Sequence, residues 1–344
     1  MFSVDIEPTN RCNAKCHFCP RDQTPHQGLM TQEVFDQSLL RAIELRDDRG
    51  QDFPIQLCGL GEPLLNPRTP DYVRQVREAG FKCGLSSNAS ILDERKAHKL
   101  LDAGLSEIAI NAGDEGEEYE DVYKLPFEKT RDNIIRFNEM ASDDCNVQVV
   151  LVDHRYDAAH IEKMKTYWRG FGIEHFIQFD IINRGGALFV DHMQYETYSQ
   201  IDEARALFDE HGLKPGCAAP FLFLFVGYDG NYYLCCSDWK KEAPVGTVFD
   251  HSFHAVTKAK IDHVLSREPV CKTCNLDSLN KLTEVLRAIE TGEADPSERD
   301  EIIKDLKGPS SVISAAEQQV AAGDPSEWAP AKRRRPIPVT VTEA

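Results

Sequence analysis

From Met1 to about Asp180 the chain repeats one rhythm: a short apolar or alternating run, then a longer stretch whose apolar residues recur every three to four positions. Val4 to Glu7, Pro54 to Leu57, Lys82 to Ser86, Glu107 to Ile110, Asn146 to Val152 and His175 to Asp180 read as strands. Their spacing is about 30 residues, the length of a βαβ step. Helix starts are marked between them. Thr31 can cap a segment from Gln32 to Asp48, Thr69 before Pro70 offers an N-cap hydroxyl and a proline at the first helical position, and Asp93 can cap the next helix. Six such units predict an α/β fold over residues 1–190, a parallel sheet curled into a partial (β/α)6 barrel with its site on the loops at the C-terminal strand ends.

Beyond that the pattern changes. Residues 191–213 read as a linker with a helix over Tyr195 to His211. Residues 214–291 read as a small α+β module, in which Phe221 to Val226 and Asn231 to Leu234 flank the turn Tyr228-Asp229-Gly230 as a β-hairpin, before a final helix over Leu279 to Thr291. From Gly292 to Ala344 the chain is rich in Ala, Glu, Ser, Pro and Gly with few aromatics, which predicts a mostly disordered tail that includes Lys332 to Arg335.

A length of 344 residues suits one large core plus a smaller module. The net charge of −18 argues against nucleic acid as the main partner, since phosphate binding needs a basic face. No run of about 18 apolar residues occurs and no basic-then-apolar signal layout opens the chain, so a soluble cytoplasmic protein without a membrane partner is expected. In that compartment the 11 cysteines stay reduced, and their clustered spacings favour metal ligation over disulfides.

Cys12, Cys16 and Cys19 are spaced x3 then x2 on the loop after the first strand. Three thiolates can hold three corners of a cubic iron–sulfur cluster and leave one iron open; a zinc site completed by His17 or a distant residue is the competing reading. One strand later comes Gly59-Leu60-Gly61-Glu62-Pro63, whose glycines allow close backbone approach and whose Glu62 could accept a hydrogen bond from an ammonium group. Asn183-Arg184-Gly185-Gly186 follows the sixth strand and could aim Arg184 inward as a substrate anchor or base partner; Asp153, His154 and Asp180 share that address. Cys217, Cys235, Cys271 and Cys274 supply four ligands around the hairpin, for zinc or for a fully ligated cluster, with Cys236 left over. Cys58, Cys83 and Cys145 read as core residues.

The first triplet, with Phe18 before its last cysteine, resembles the signature of the radical S-adenosylmethionine (SAM) superfamily, Cys-x3-Cys-x-aromatic-Cys. Gly59 to Pro63 looks like that family's Gly-Gly-Glu-Pro element with Leu60 in place of a glycine, so any contact to the cofactor's amino group would come from the Gly61 and Glu62 backbone. Ser87-Asn88, Asn111 and Lys124 stand near positions that relatives use for the cofactor. The later cysteines resemble a SPASM module in its shorter "twitch" form, as in the aminoglycoside-pathway radical dehydrogenases.

The resemblance covers about Met1 to Leu276 and implies a SAM-binding 4Fe-4S cluster on Cys12, Cys16 and Cys19, with Phe18, Gly61, Glu62, Asn88, Asn111 and Lys124 around S-adenosylmethionine. It implies one auxiliary 4Fe-4S cluster on Cys217, Cys235, Cys271 and Cys274. Reductive cleavage to a 5′-deoxyadenosyl radical would then drive hydrogen abstraction from a small-molecule or peptide substrate, with ferredoxin or flavodoxin as electron donor. The auxiliary cluster favours an oxidation or dehydrogenation. The first strand begins within a few residues of Met1, which leaves no room for a leader-binding domain before it; a peptide substrate would come with a separate partner. A zinc-stapled binding protein and an electron-transfer protein that never cleaves S-adenosylmethionine are the readings outside this chemistry.

Overall fold

The computed structural model describes residues 2–24, 26–188, 194–267 and 269–322. Its first six strands are β1 Ser3–Ile6, β2 Ile55–Leu57, β3 Cys83–Ser87, β4 Glu107–Asn111, β5 Asn146–Asp153 and β6 His175–Asp180, each paired parallel to the next. Helices α1 Gln32–Arg49, α2 Thr69–Glu78, α3 Glu94–Asp102, α4 Gly116–Tyr123, α5 Phe127–Met140 and α6 Ala158–Arg169 alternate with them as crossovers. Thr31 caps α1 by accepting from the Val34 amide, and Asp93 caps α3 by accepting from the Lys96 amide. The expected cap at Thr69 is corrected: Thr69 is the first helical residue of α2, and its hydroxyl donates to the Pro63 carbonyl at 2.6 Å.

The barrel interior is stratified. Near the N-terminal strand ends, Gln56 reaches across Gly84, where a Cβ would sit 1.9 Å from the Gln56 Oε1, to donate to Glu107, which also accepts from Gln148 at 3.4 Å. This polar floor spans β2 to β5. Above it Ser86 and Ala109 are small, so space opens toward the C-terminal strand ends.

The sheet does not stop at the barrel. β7 Phe223–Val226 pairs parallel with the free edge of β1, then β8 Asn231–Tyr233 and β9 Pro244–Thr247 continue antiparallel, giving one nine-stranded sheet in the order β6-β5-β4-β3-β2-β1-β7-β8-β9. The β7–β8 hairpin lies where the turn Tyr228-Asp229-Gly230 predicts it, while β9 follows no signal that the sequence reading used. The second module is thus built onto the first strand of the barrel.

The remaining helices are α7 Ile201–Glu210, α8 Ala219–Leu222, α9 Phe253–Ser266, α10 Pro269–Lys272, α11 Ser278–Thr291 and α12 Ser297–Ala322. The last occupies Ser297–Ala322, part of the stretch from Gly292 expected to be mostly disordered. Ile303, Leu306, Ser310, Ile313 and Ala316 form a buried stripe at three- and four-residue spacing. Composition hid the stripe because its few apolar residues are diluted by Ala, Glu and Ser. Leu306 and Ile303 join Ile201, Phe208, Leu282 and Leu286 in a core of their own between α7, α11 and α12. Residues 323–344, with Lys332 to Arg335, lie outside the described residues. No described helix is long and apolar enough to cross a membrane.

Candidate iron–sulfur site

β1 delivers the chain to a long loop that carries the first three cysteines. Thr9 Oγ1 donates to the Gly28 carbonyl, while Asn10 donates to the His26 carbonyl and accepts from the Gly28 amide, so the loop's base is pinned to its own return. Its outer turn lies on the end of α4, with the Lys15 and His17 amides donating to the carbonyls of Tyr123 and Val122. Arg21 donates to the Cys12 carbonyl at 2.6 Å. Burial pushes all three thiols up, Cys19 to about 11; neighbouring cysteines add to the rise at Cys16 and Cys19, and the Glu62 charge adds to it at Cys12. Three crowded, desolvated thiols resist ionisation unless a cationic centre compensates them.

The spacing of the sulfurs bears on which centre fits. Tetrahedral zinc holds its thiolates about 3.8 Å apart, given Zn–S bonds of about 2.3 Å. Among the described residues no three cysteine sulfurs lie within 4.8 Å of one another. Among the described residues, then, no trio of thiolates stands close enough together for a single zinc ion. The residues that do converge are Asp114, Glu118 and His160, and Arg155 already pairs with both carboxylates.

Gly59 to Pro63 clasps this loop. A Cβ at Gly61 would sit 2.4 Å from the carbonyl oxygens of Thr9 and Arg11, so only glycine permits the approach. The Glu62 amide donates to the Arg11 carbonyl at 2.8 Å. The Glu62 carboxylate is 1% exposed and accepts from the Leu64 amide, the Ser87 hydroxyl and the Asn88 amide at 2.7–3.0 Å. In this structure the Glu62 oxygens tie the clasp to the end of β3. Asn88 in turn donates to Asn13 at 3.0 Å and approaches the Cys12 sulfur at 3.8 Å. Asn111, at the end of β4, faces the open interior. Lys124 does not join it; it caps α4 with φ of 55° and turns its exposed ammonium to Asp121.

The second set of cysteines comes from three places: Cys217 before α8, Cys235 after β8, and the segment of α10 that bears Cys271 with Cys274 just beyond it. The fold brings them around one end of a shared space. Burial pushes these thiols up as well, Cys217 to about 12, with mutual repulsion among the four contributing. Amides of Ala219 and Leu276 donate to the Cys217 and Cys274 sulfurs at 3.4 Å. Asn280, fully buried, donates to the carbonyls of Cys271, Lys272 and Cys274 and so ties the segment that bears two of the cysteines.

Between the two sets lies a cavity of about 500 Å³. Phe18 and Asn111 line it from the barrel side; Cys217, Cys235, Cys236, Cys271 and Cys274 line it from the other; Val150, Val152, Ile177 and Phe179 form an apolar wall. Arg184 also faces it, in the left-handed region with φ of 53°, its guanidinium 5.8 Å from the Trp239 ring centre.

Two features escaped sequence reading. Glu7, fully buried just past β1, accepts from the Leu60 and Tyr228 amides and pairs with Lys241, whose ammonium lies 4.7 Å from the Phe225 ring centre and 4.0 Å from that of Tyr233. The pair joins the first cysteine loop to the hairpin. His154, read only as a loop residue at the mouth, bridges buried Asp114 and exposed His17 at 3.0 and 3.2 Å while stacking on Phe18. Neither has a local sequence signal, because the partners stand from 40 to 234 positions apart.

Comparison with known proteins bears on the arrangement as a whole. Residues 6–165 match the family model of the radical SAM superfamily, and residues 217–275 match that of the SPASM iron–sulfur cluster-binding domain. The tungsten-containing aldehyde ferredoxin oxidoreductase cofactor-modifying protein of Pyrococcus furiosus is 31% identical over 105 residues, 29% of this chain and 27% of that relative. The chain thus spans less than a third of the length of that curated relative. Among solved structures, BtrN in complex with AdoMet and 2-DOIA superposes with a TM-score of 0.51 at 16% identity, covering 80% of this chain and 93% of that one. Streptococcus suis SuiB bound to precursor peptide SuiA gives 0.50 at 12% identity, over 68% and 59%. At such identities these two likenesses speak to the fold.

Proposed function

Because the chain belongs to the radical SAM superfamily and carries a C-terminal SPASM module, with 4Fe-4S clusters and S-adenosylmethionine as its cofactors, we propose that it oxidises or dehydrogenates a substrate held between two cluster sites. The observation that carries this reading is the single cavity lined by Phe18 on one side and by the four later cysteines on the other. Cys12, Cys16 and Cys19 would hold the SAM-binding cluster, and Cys217, Cys235, Cys271 and Cys274 the auxiliary one. Bound there, the cofactors would supply radical hydrogen-abstraction chemistry at a substrate C–H bond and a nearby acceptor for the second electron.

The protein's own part is positional. Asn88 and the Gly61–Glu62 clasp orient the first cysteine loop, and the apolar wall of β5 and β6 keeps water from the reacting carbon. Arg184 is the chamber cation available to anchor a polar substrate group.

A peptide substrate is the second reading, and β6 favours it. That strand forms one edge of the sheet, and Phe179, 49% exposed, lies on it at the cavity wall, so an extended chain could be laid along the edge. SuiB, bound to a precursor peptide in its own structure, shares the fold.

The test is chemical analysis of protein purified without oxygen. About eight irons per chain, two cubic clusters, with 5′-deoxyadenosine formed from S-adenosylmethionine and dithionite, is the expected result. Replacing Cys12, Cys16 and Cys19 by Ala should abolish 5′-deoxyadenosine and leave about four irons. Stoichiometric zinc without cleavage after anaerobic reconstitution would overturn the reading.

A further inference from the structure

Arg184 is held with unusual firmness for a loop residue. Asn183 and Asn275 exchange amide-to-side-chain hydrogen bonds at 3.1 Å in both directions, and Asn183 donates to the Thr273 carbonyl at 2.6 Å. Thr273 Oγ1 donates to the Gly185 carbonyl at 2.8 Å. Gly185 and Gly186 both have positive φ, and a Cβ on either would collide with Val270 or Thr273 at 2.4–2.6 Å. The arm that bears Arg184 is thereby fastened to the segment that supplies Cys271 and Cys274.

Its guanidinium points the other way, over Trp239. Trp239 belongs to a small apolar cluster against which both Cys19 and Cys236 pack, one from the first loop and the other the neighbour of Cys235. Arg184 lines the same cavity wall as Cys217, Cys235, Cys236, Cys271 and Cys274. What it lacks is a counterion. Among the described residues no carboxylate pairs with it, although Asp180 and Asp277 line the same cavity, and its Nε is buried with no acceptor. Of the other cations nearby, Arg21 pairs with Asp22, Lys241 with Glu7 and Arg267 with Glu196 and Asp277, while buried Lys260 is held by the Pro220 and Phe223 carbonyls behind the cavity wall. A guanidinium stays charged throughout the accessible pH range, and an uncompensated charge acts strongly in a low-dielectric interior.

We infer that Arg184 is a shared electrostatic bridge, a single cation placed to stabilise the reduced state of the clusters on both sides of the cavity. The inference rests on the assignment of the two cysteine sets as cluster ligands. Reduction adds one negative charge to a thiolate-bound cluster, so an unpaired cation beside it favours the reduced form, and removing that cation makes reduction harder. Because the same side chain serves both sites, its loss should move both potentials together.

The experiment is an anaerobic potentiometric titration of the reconstituted protein, followed by electron paramagnetic resonance, on wild type, R184Q, R184K and R21Q. In R184Q, reduction of each cluster should become about tenfold less favourable, equivalent to 59 mV per one-electron couple. R184K should recover most of the shift, and R21Q should move only the cluster of the first loop, since Arg21 contacts that loop alone. If R184Q fails to load both clusters, R184M and R184K provide the same comparison of lost against retained charge. Unmoved potentials, or a shift confined to one cluster, would overturn the inference while leaving the cluster assignment standing. A wild-type protein that binds fewer than two clusters would overturn both.

Discussion

The two cysteine sets are assembled by opposite means. Cys12, Cys16 and Cys19 share one loop and are secured from outside, by the Gly61–Glu62 clasp, by Asn88 and by the end of α4. Cys217, Cys235, Cys271 and Cys274 are contributed by separate segments that meet only when the hairpin, α9 and α11 have folded around them. A local set needs little chain closure before it can bind metal; a dispersed set converts metal binding into folding free energy. The first set should therefore behave as a catalytic fixture whose loss the fold survives, and the second as a staple.

The strongest challenge to that contrast is Gly61→Ala. Its Cβ has backbone on every side at 2.4–2.7 Å, with no flexible side chain to yield, so the first loop must move. S-adenosylmethionine cleavage should fall at least a hundredfold, while the auxiliary cluster's four irons persist; 5′-deoxyadenosine yield and iron content decide it. Next comes Lys241→Met, which leaves Glu7 buried and unpaired at the joint between the two regions. A loss of about 3–5 kcal/mol in denaturant unfolding is expected, and Glu7→Gln in the same background should return part of it.

Asn280→Ala probes the staple alone. Three buried carbonyls lose their shared donor, so the loss should be about 3 kcal/mol, and occupancy of the auxiliary cluster should fall before that of the first. The smallest effect is Asp5→Asn. Burial raises the Asp5 carboxyl from 3.8 to about 6, against opposing contributions from Ser3 and Lys260. A neutral Asp5 favours the fold fully below pH 3.8, and that contribution is lost as pH rises through about 6. D5N should thus show a melting-temperature advantage over wild type that grows from pH 5 to pH 8; a constant difference would assign Asp5 a different role.

The same contrast explains what could be read in advance. The six barrel strands and the first triplet are local patterns, visible as short apolar runs and as close cysteine spacing. The four later cysteines admit two metals by spacing alone, and it was their resemblance to a SPASM module that pointed to an iron–sulfur cluster. Glu7 with Lys241, and Asp114 with His154 and His17, carry no local pattern at all, since each residue alone looks like an ordinary charged or loop position. Glu62 was legible as a candidate contact, but its hydrogen bonds to Ser87 and Asn88 were not, because those partners lie at the end of the next strand. The stripe of α12 was present in the sequence but masked by bulk composition.

β1 lies in the interior of the nine-stranded sheet, although it precedes the other eight strands along the chain. On the ribosome it can pair with β2 early, yet its other edge must wait for β7, some 220 residues later. At typical elongation speeds that interval is roughly 10–40 s. Throughout it the nascent chain presents an apolar strand edge directly beneath the first cysteine loop, a surface open to chaperones and to other unfinished chains. Arrival of the hairpin closes that edge and seats Lys241 on Glu7 in the same event, so a segment synthesised long after the barrel strands completes the foundation of the first.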